Sequence, residues 1–159
     1  MHSSPSPSPV FAAADAGYAE RVQDSFGRQP AMHLIGASIT AIEPGYCEVT
    51  LPHKEGLTQQ HGFIHGGITG MIADSAAGYA AFSLMPADAS PLTVEYKINM
   101  LNPAHGEKLV ARARVIKSGK TLVITQGDGF AVKDGIEKLC ATMQQTLIVM
   151  RGVPDTRRA

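Results

Sequence analysis

A long stretch with a single charged residue constrains the fold of this chain more than any other feature. Residues 66–84 have the composition and spacing of one helix, and Asp74 is the only charged residue among them. A helix that is apolar on every side is either buried in a protein or spans a membrane. A carboxylate inside such a helix is costly unless it has a partner or a chemical use. The stretch therefore predicts a buried helix with one candidate functional acid.

The side chains beside Asp74 on this helix are mostly small. The positions three and four residues away are Gly70, Met71, Ala77 and Gly78, of which three are small. Residues at these spacings lie beside Asp74 on the helix surface. Small side chains there allow a backbone, a ligand or a second subunit to come close.

The start of the helix is a second candidate site. His65-Gly66-Gly67 places exposed amides at a helix N-terminus, where backbone N–H groups and the helix dipole favour negative charge. Gly66 and Asp74 are eight positions apart, which is about 12 Å along a helix at about 1.5 Å per residue. A reacting carbonyl needs both groups within about 3–3.5 Å. We therefore predict a symmetric dimer in which the Asp of one subunit faces the helix start of the other.

Two other interpretations of the same stretch remain open. One is a packed core helix in which Asp74 caps a backbone group or pairs with a distant Lys or Arg. The other is a membrane span. Two features disfavour it: the stretch is rich in Gly, Ala and Ser, and a central Asp costs about 2.5–3.5 kcal/mol on insertion into a membrane.

Composition narrows the class of protein. A chain of 159 residues suits one domain with a sizeable core. Its 14 basic and 14 acidic residues balance, so nothing in the charge favours nucleic acid or an anionic membrane as a partner. Cys47 and Cys140 are isolated and fit small buried residues better than a metal site or a disulfide framework. No secretory signal pattern is present, and we expect a soluble, cytoplasmic protein.

The chain divides into three segments. Residues 1–13 are rich in Ser and Pro and are predicted to be disordered. Residues 14–150 form one predicted domain, and residues 151–159 form a charged tail. The domain is predicted to begin with a short helix at 14–27, in a region that ends at Pro30.

Strand patterns flank the long helix. Strands are predicted at 34–42 and 46–51 before it, and at 92–100, 109–116, 122–132 and 136–150 after a loop at 85–91. In the third strand, Leu92, Val94, Tyr96, Ile98 and Met100 alternate with Thr93, Glu95, Lys97 and Asn99. An antiparallel sheet needs one covered face, and only the long helix can cover it. The predicted fold is therefore α+β, with a six-stranded antiparallel sheet wrapped around one long central helix and a short N-terminal helix.

Four motifs carry a resemblance to a known family. They are His65-Gly66-Gly67 followed by Asp74, the strand at 93–99, the pair Pro103-Ala104, and the turn at 117–122. Together they resemble the hotdog-fold superfamily, and specifically the PaaI-like acyl-CoA thioesterases related to 4-hydroxybenzoyl-CoA thioesterase. The resemblance covers roughly residues 34–150.

This resemblance implies catalytic roles for four residues. Asp74 corresponds to the acid that acts as nucleophile or as general base for water, and Gly66 to the amide that polarises the thioester carbonyl. Thr93 matches a Ser or Thr that faces the site from the next strand. Gln59 stands where the family usually has an Asn that orients water or substrate, and Gln60 or His61 could substitute for it.

The resemblance also implies a substrate and an assembly. The substrate is an aryl or a medium- to long-chain acyl-CoA, and no cofactor is needed beyond the coenzyme A that the substrate carries. Active sites of the family lie at dimer interfaces, which implies a homodimer and, because members are often tetramers, a dimer of dimers. Residues assigned to substrate binding are His65, Gly67, Gln60, Val94, Lys117 and Lys120.

Some of these assignments have alternatives. His65 either donates to the substrate or is hydrogen-bonded to the backbone, and the two lysines either meet the coenzyme A phosphates or form a solvated rim. Two other functions also fit the sequence. One is a dehydratase or hydratase that uses His65 and Asp74 as an acid–base pair, and the other is a non-catalytic acyl-CoA-binding protein.

Overall fold

The structure is a computed structural model that describes residues 10–153 and 155–156. These residues contain the α-helices α1 (Tyr18–Gly27), α2 (Pro30–Ile35) and α3 (Gly66–Phe82), and a short 3-10 helix at Glu55–Leu57. The strands are β1 (Ser38–Glu43), β2 (Tyr46–Pro52), β3 (Ala89–Met100), β4 (Lys108–Ser118), β5 (Leu122–Lys133) and β6 (Ile136–Arg151). Most of the predicted disordered segment, and part of the predicted tail, lie outside the described residues.

The six strands form one antiparallel sheet in the order β1-β2-β4-β5-β6-β3. Helix α3 packs across the sheet, mainly against β4, β2, β5 and β3. The predicted α+β hotdog architecture is therefore confirmed. No helix in the described part of the chain has the length and apolar character needed to cross a bilayer.

Glycines in β5 allow α3 to pass close above the sheet. A Cβ added at Gly127 would lie 3.6 Å from the Ala73 carbonyl oxygen, and one at Gly129 would lie 3.3 Å from Thr69 Cγ2. The pairing of β5 with β6 also shifts register between Gly129 and Phe130. The two glycines thus serve both uses of glycine in strands, a close approach and a bulge.

The end predicted for the N-terminal region at Pro30, and the start predicted for the first strand at residue 34, are both wrong. Pro30 begins a helix instead of closing the N-terminal helical region, because proline fits the first helical position, where its missing N–H has no partner to lose. Gly36 ends α2 in the left-handed conformation, with φ at 81°, and its N–H bonds to the carbonyls of Met32 and His33. The first strand therefore starts at Ser38, after the helix.

The predicted alternation in β3 is also wrong at one point. Thr93 opposes Leu147 and Glu95 opposes Thr146, so Val94 is an extra residue in a β-bulge. Beyond the bulge, Ile98 and Met100 face α3 as the pattern predicts. The bulge turns Thr93 to that same side, whereas strict alternation places it opposite. Strand β3 also starts at Ala89, inside the predicted loop, and Pro91 is tolerated there because β3 is an edge strand.

Candidate functional site

Asp74 is held by neutral hydrogen-bond donors. Its Oδ1 accepts from Thr93 Oγ1 at 2.9 Å and from Gln145 Nε2 at 2.7 Å. It forms no salt bridge with any described residue. The interpretation in which Asp74 pairs with a Lys or Arg therefore has no support in the described structure. Both hydrogen bonds go to the same oxygen, so Oδ2 has no hydrogen-bond donor among the described residues.

Gln145, on β6, is the residue that the sequence analysis missed. It is 1% exposed, and its Nε2 also lies 2.7 Å from Thr93 Oγ1. Its Oε1 has no hydrogen-bond partner among the described residues, and leaving a buried carbonyl unpaired costs about 1–3 kcal/mol. One pattern could have revealed it: Gln145 falls in phase with Ala141, Met143 and Leu147, which are all buried.

A cavity of about 340 Å³, the acid cavity, lies beside this group. Its wall includes Asp74, Ser75, Gly78, Tyr79, Leu92 and Thr93. The Tyr79 hydroxyl accepts from Gln29 Nε2 at 2.9 Å and lies 3.0 Å from Ser25 Oγ. Burial raises the pKa of Tyr79 to about 12, so the phenol is neutral at ordinary pH.

The start of α3 carries one free amide. His65 Nδ1 accepts from the Gly67 N–H at 2.9 Å, and the His65 carbonyl accepts from the Ile68 N–H at 2.9 Å. The Gly66 N–H has no acceptor among the described residues. The His65 side chain thus caps the helix by accepting from the Gly67 backbone N–H. Because the neutral imidazole accepts at Nδ1, its proton is on Nε2. A single unpaired donor remains where the sequence suggested several.

The Gly66 amide borders a second cavity of about 450 Å³, the amide cavity. Its wall includes Gln59, Gly66, Thr69, Met100, Pro103 and Cys140. Gln59 Oε1 is used inside its own loop, where it accepts from the His61 N–H. The Gln59 Nε2 is therefore the polar atom that this side chain can offer to a ligand.

The thiol in the wall of the amide cavity is not a nucleophile in its resting state. Burial raises the pKa of Cys140, and its Sγ donates to the Gly129 carbonyl at 3.2 Å. A cysteine attacks as its thiolate, so a protonated, bonded thiol is inert. Cys47 is also buried, as predicted for both cysteines.

None of the described residues lines both cavities. The free amide and the acid thus belong to separate recesses of one chain, as the spacing along the helix predicts. A substrate that needs both groups at one carbon atom cannot be served by the two cavities of a single subunit.

Comparison with known proteins identifies the family. A family model described as the thioesterase superfamily matches residues 61–138. The solved structure of a thioesterase family protein from Silicibacter pomeroyi is 51% identical to this chain, with a TM-score of 0.84, and the match covers 86% of this chain and 100% of that one. This chain belongs to the thioesterase superfamily. The prediction of a thioester hydrolase is confirmed at this level.

Two curated relatives of this thioesterase match over most of their length. A candidate esterase from Saccharolobus solfataricus is 31% identical over 130 residues, which are 82% of this chain and 84% of the relative. The 1,4-dihydroxy-2-naphthoyl-CoA hydrolase of Listeria monocytogenes is 29% identical over 117 residues, which are 74% of this chain and 93% of the Listeria protein. The similarity is therefore spread over the domain and is not confined to one motif.

The other residues assigned to substrate binding lie outside both cavities of the thioesterase. Gln60 is exposed, and Val94 is exposed at the bulge. Lys117 and Lys120 are exposed around the turn between β4 and β5, at the far end of β4 from Lys108. The Gly66 amide lies near the Lys108 end, because Ile64 N–H donates to the Ala104 carbonyl just before β4. Within one subunit, the two lysines are thus remote from the free amide.

Strand β3 leaves an apolar edge on the thioesterase. It is the last strand of the sheet and pairs only with β6 among the described strands. Its exposed apolar side chains are Leu92, Val94, Tyr96 and Met100. An apolar edge strand with free backbone groups is a template for pairing with another strand.

Proposed function

We propose that the thioesterase hydrolyses acyl-coenzyme A thioesters to a free acid and coenzyme A. The observation that carries the proposal is Asp74, a carboxylate in the wall of the acid cavity whose hydrogen bonds from described residues come only from neutral donors, both to Oδ1. A carboxylate that has no cation to neutralise it can act as a base or a nucleophile. The name of the Listeria relative, which specifies a coenzyme A thioester, supports the same substrate class.

The Gly66 amide is the second component of the proposed reaction. Its unpaired N–H at the start of α3 donates to the thioester carbonyl oxygen, which becomes negatively charged as the carbon is attacked. One such donor contributes about 2.7–4 kcal/mol to transition-state binding. Asp74 Oδ2 either attacks the carbonyl carbon or removes a proton from the attacking water. When water attacks, the C–S bond breaks and Asp74 passes the proton it took from water to the leaving sulfur, so coenzyme A leaves as the thiol. When Asp74 itself attacks, the C–S bond breaks to give a mixed anhydride on Asp74 and a thiolate that takes up a proton from solvent. A water molecule then hydrolyses the anhydride to the free acid and restores the Asp74 carboxylate.

Three polar side chains support these two groups in the proposal. Thr93 donates to Asp74, and Gln59 Nε2 faces the substrate in the amide cavity. His65 fixes the first turn of α3, so that the Gly67 N–H is occupied and the Gly66 N–H is the donor that remains. The acyl group is aryl or medium to long, as the size of the two cavities permits both.

We infer that the site is completed by a second copy of the chain, paired through β3. Thr93, near one end of β3, contacts Asp74, whereas Met100, at the other end, lies against Gly66. Antiparallel pairing of two β3 strands, centred near residues 96 and 97, sets Thr93 beside the partner's Met100. The acid of one subunit then approaches the free amide of the other, which removes the separation of the two cavities.

A charge placed on the β3 edge is expected to dissociate this dimer. Val94 is 59% exposed and belongs to no cavity wall, so Val94→Asp leaves the subunit intact and places a carboxylate in the strand pair. We expect sedimentation velocity to show a lower mass than wild type, with activity lost in parallel. Ile136→Asp is the matched control, because Ile136 is 73% exposed on the hairpin between β5 and β6. An active dimer of unchanged affinity in Val94→Asp would place the interface elsewhere.

The function is tested by thiol release from a panel of acyl-CoAs that spans aryl, short, medium and long acyl groups. We expect release of free coenzyme A, read with a thiol reagent, and a clear preference for one acyl class. An enoyl-CoA is included, because hydration without thiol release would instead indicate a hydratase. Saturable binding of acyl-CoA without thiol release from any member would indicate a binding protein, and either result would overturn the proposal.

A further inference from the structure

We propose that Gln145 is a positioning residue that holds Asp74 with one carboxylate oxygen fixed and the other presented to the substrate. The inference rests on the proposed function, because it gives Gln145 a part in the same reaction. Gln145 lies on β6, beneath Asp74 and Thr93, where it is fully buried. It lines neither cavity itself and contacts the acid cavity only through Asp74 and Thr93, so it acts through Asp74.

The three side chains form a closed ring of hydrogen bonds. Gln145 Nε2 donates to Asp74 Oδ1 and to Thr93 Oγ1, each at 2.7 Å, and Thr93 Oγ1 donates to Asp74 Oδ1 at 2.9 Å. The Gln145 amide nitrogen therefore donates to both oxygens, and the Thr93 hydroxyl is oriented as a donor because it already accepts from Gln145. The ring fixes the side-chain torsion of Asp74.

The orientation of the Gln145 amide follows from the charge on Asp74. Turning the amide over would set its oxygen against a carboxylate oxygen, and two acceptors cannot bond to each other. The observed orientation leaves Gln145 Oε1 buried without a partner among the described residues. Unpaired buried polar atoms are rare in folded proteins, and each needs an explanation. Here the explanation is that the site needs the amide nitrogen of Gln145 as a donor. The carbonyl belongs to the same amide group and is therefore buried with it.

An apolar side chain would suit the position better if only packing mattered. The residues in phase with Gln145 on β6, Met143 and Leu147, are buried and apolar. Met is close to Gln in length and shape and would fill the same space with no unpaired carbonyl. A residue that is unfavourable for packing and bonds to the candidate catalytic acid is expected to serve function.

The ring also decides which oxygen of Asp74 reacts. Both donors bind Oδ1, so Oδ2 has no protein donor among the described residues and is the freer base. Without Gln145, the carboxylate can rotate and present Oδ1 or Oδ2 at other angles. Misplacement of a reacting group by about 1 Å can reduce the rate by about 100-fold.

The test compares Gln145→Met with Gln144→Met, a matched control on the same strand whose side chain is exposed on the other side of the sheet. We expect Gln145→Met to lower kcat by about 10- to 100-fold with KM within about twofold of wild type. Its thermal midpoint is expected to equal or exceed that of wild type, because the unpaired carbonyl is gone. Gln144→Met is expected to leave kcat, KM and the thermal midpoint unchanged. A purely structural residue would give the reverse pattern, with a lower midpoint and an unchanged kcat per folded subunit.

The outcomes separate this inference from the proposed function. If wild type releases thiol and Gln145→Met is equally fast per folded subunit, Gln145 does not position Asp74, and the thioesterase proposal stands. If wild type releases thiol from no acyl-CoA, the proposed function fails and the role of Gln145 fails with it. A second variant, Gln145→Leu, shows whether a loss of kcat in Gln145→Met comes from poor packing of the Met side chain, because such a defect would not be shared by Leu.

Discussion

Asp74→Asn is expected to lower kcat on the best thioester by about 10²- to 10⁴-fold, the usual contribution of a general base. The Asn side chain has the shape of Asp and keeps an oxygen that can accept from Thr93 and Gln145. It has no negative charge, however, and it can neither remove a proton from water nor attack a carbonyl carbon. The fold and the assembly should therefore survive while turnover is lost.

The measurement is steady-state thiol release with purified enzyme, together with a thermal midpoint and a sedimentation profile for each variant. Ser75→Ala is the control, because Ser75 follows Asp74 on α3, lines the same acid cavity and bonds only weakly, to Met32 Sδ at 3.6 Å. We expect its kcat to stay within about threefold of wild type. Near-normal turnover in Asp74→Asn would make Asp74 a structural residue.

Gly66→Pro is expected to lower kcat by about 10²- to 10³-fold, as for the loss of one oxyanion donor. Proline removes the N–H that the proposed mechanism uses, at the cost of an added ring, and it is favoured at the first position of a helix. The preceding residue must be extended, and His65 already is, with φ at −61° and ψ at 137°. The substitution therefore deletes a donor at a place where the backbone accepts proline.

Gly66→Ala separates the donor from the added bulk. Alanine keeps the N–H and adds a Cβ that would lie 3.3 Å from Met100 Cε, the mobile end of a flexible side chain. We expect a kcat within about tenfold of wild type for Gly66→Ala. Equal losses in the two variants would mean that space at Gly66 matters and that its N–H does not.

Mixed dimers of the two inactive variants then test whether the site is shared between subunits. If each site takes the acid from one subunit and the amide from the other, a dimer of Asp74→Asn with Gly66→Pro has one intact site and one doubly defective site. Random assembly puts about half of the subunits in such dimers, so co-refolding equal amounts should restore about a quarter of the wild-type activity. A site built within one chain would show no recovery.

The fold of this protein was predictable because its signals are local. The long apolar helix and the alternating strands each arise from neighbouring residues. The tight turn between β5 and β6 is local too, because Asp134 and Gly135 tolerate the positive φ angles of 53° and 76° that they adopt there. Where two local signals compete, prediction fails: the apolar residues after Pro30 suggest a strand from residue 34, whereas Pro30 begins a helix that continues to Ile35. No sequence feature near Val94 indicates the bulge, because apolar and polar residues alternate regularly on both sides of it.

By itself, the sequence determined the sheet and helix, the unusual acid in α3 and the Gly-rich helix start, since each depends on residues only a few positions apart. Only the tertiary structure decided how the acid is held. Asp74 and Gln145 are 71 positions apart, and they meet because β6 passes under α3. The bulge in β3 turns Thr93 toward the same carboxylate, against the alternation of its own strand. Contacts between distant segments depend on register and packing across the whole sheet, and a periodic pattern in one segment carries no information about them.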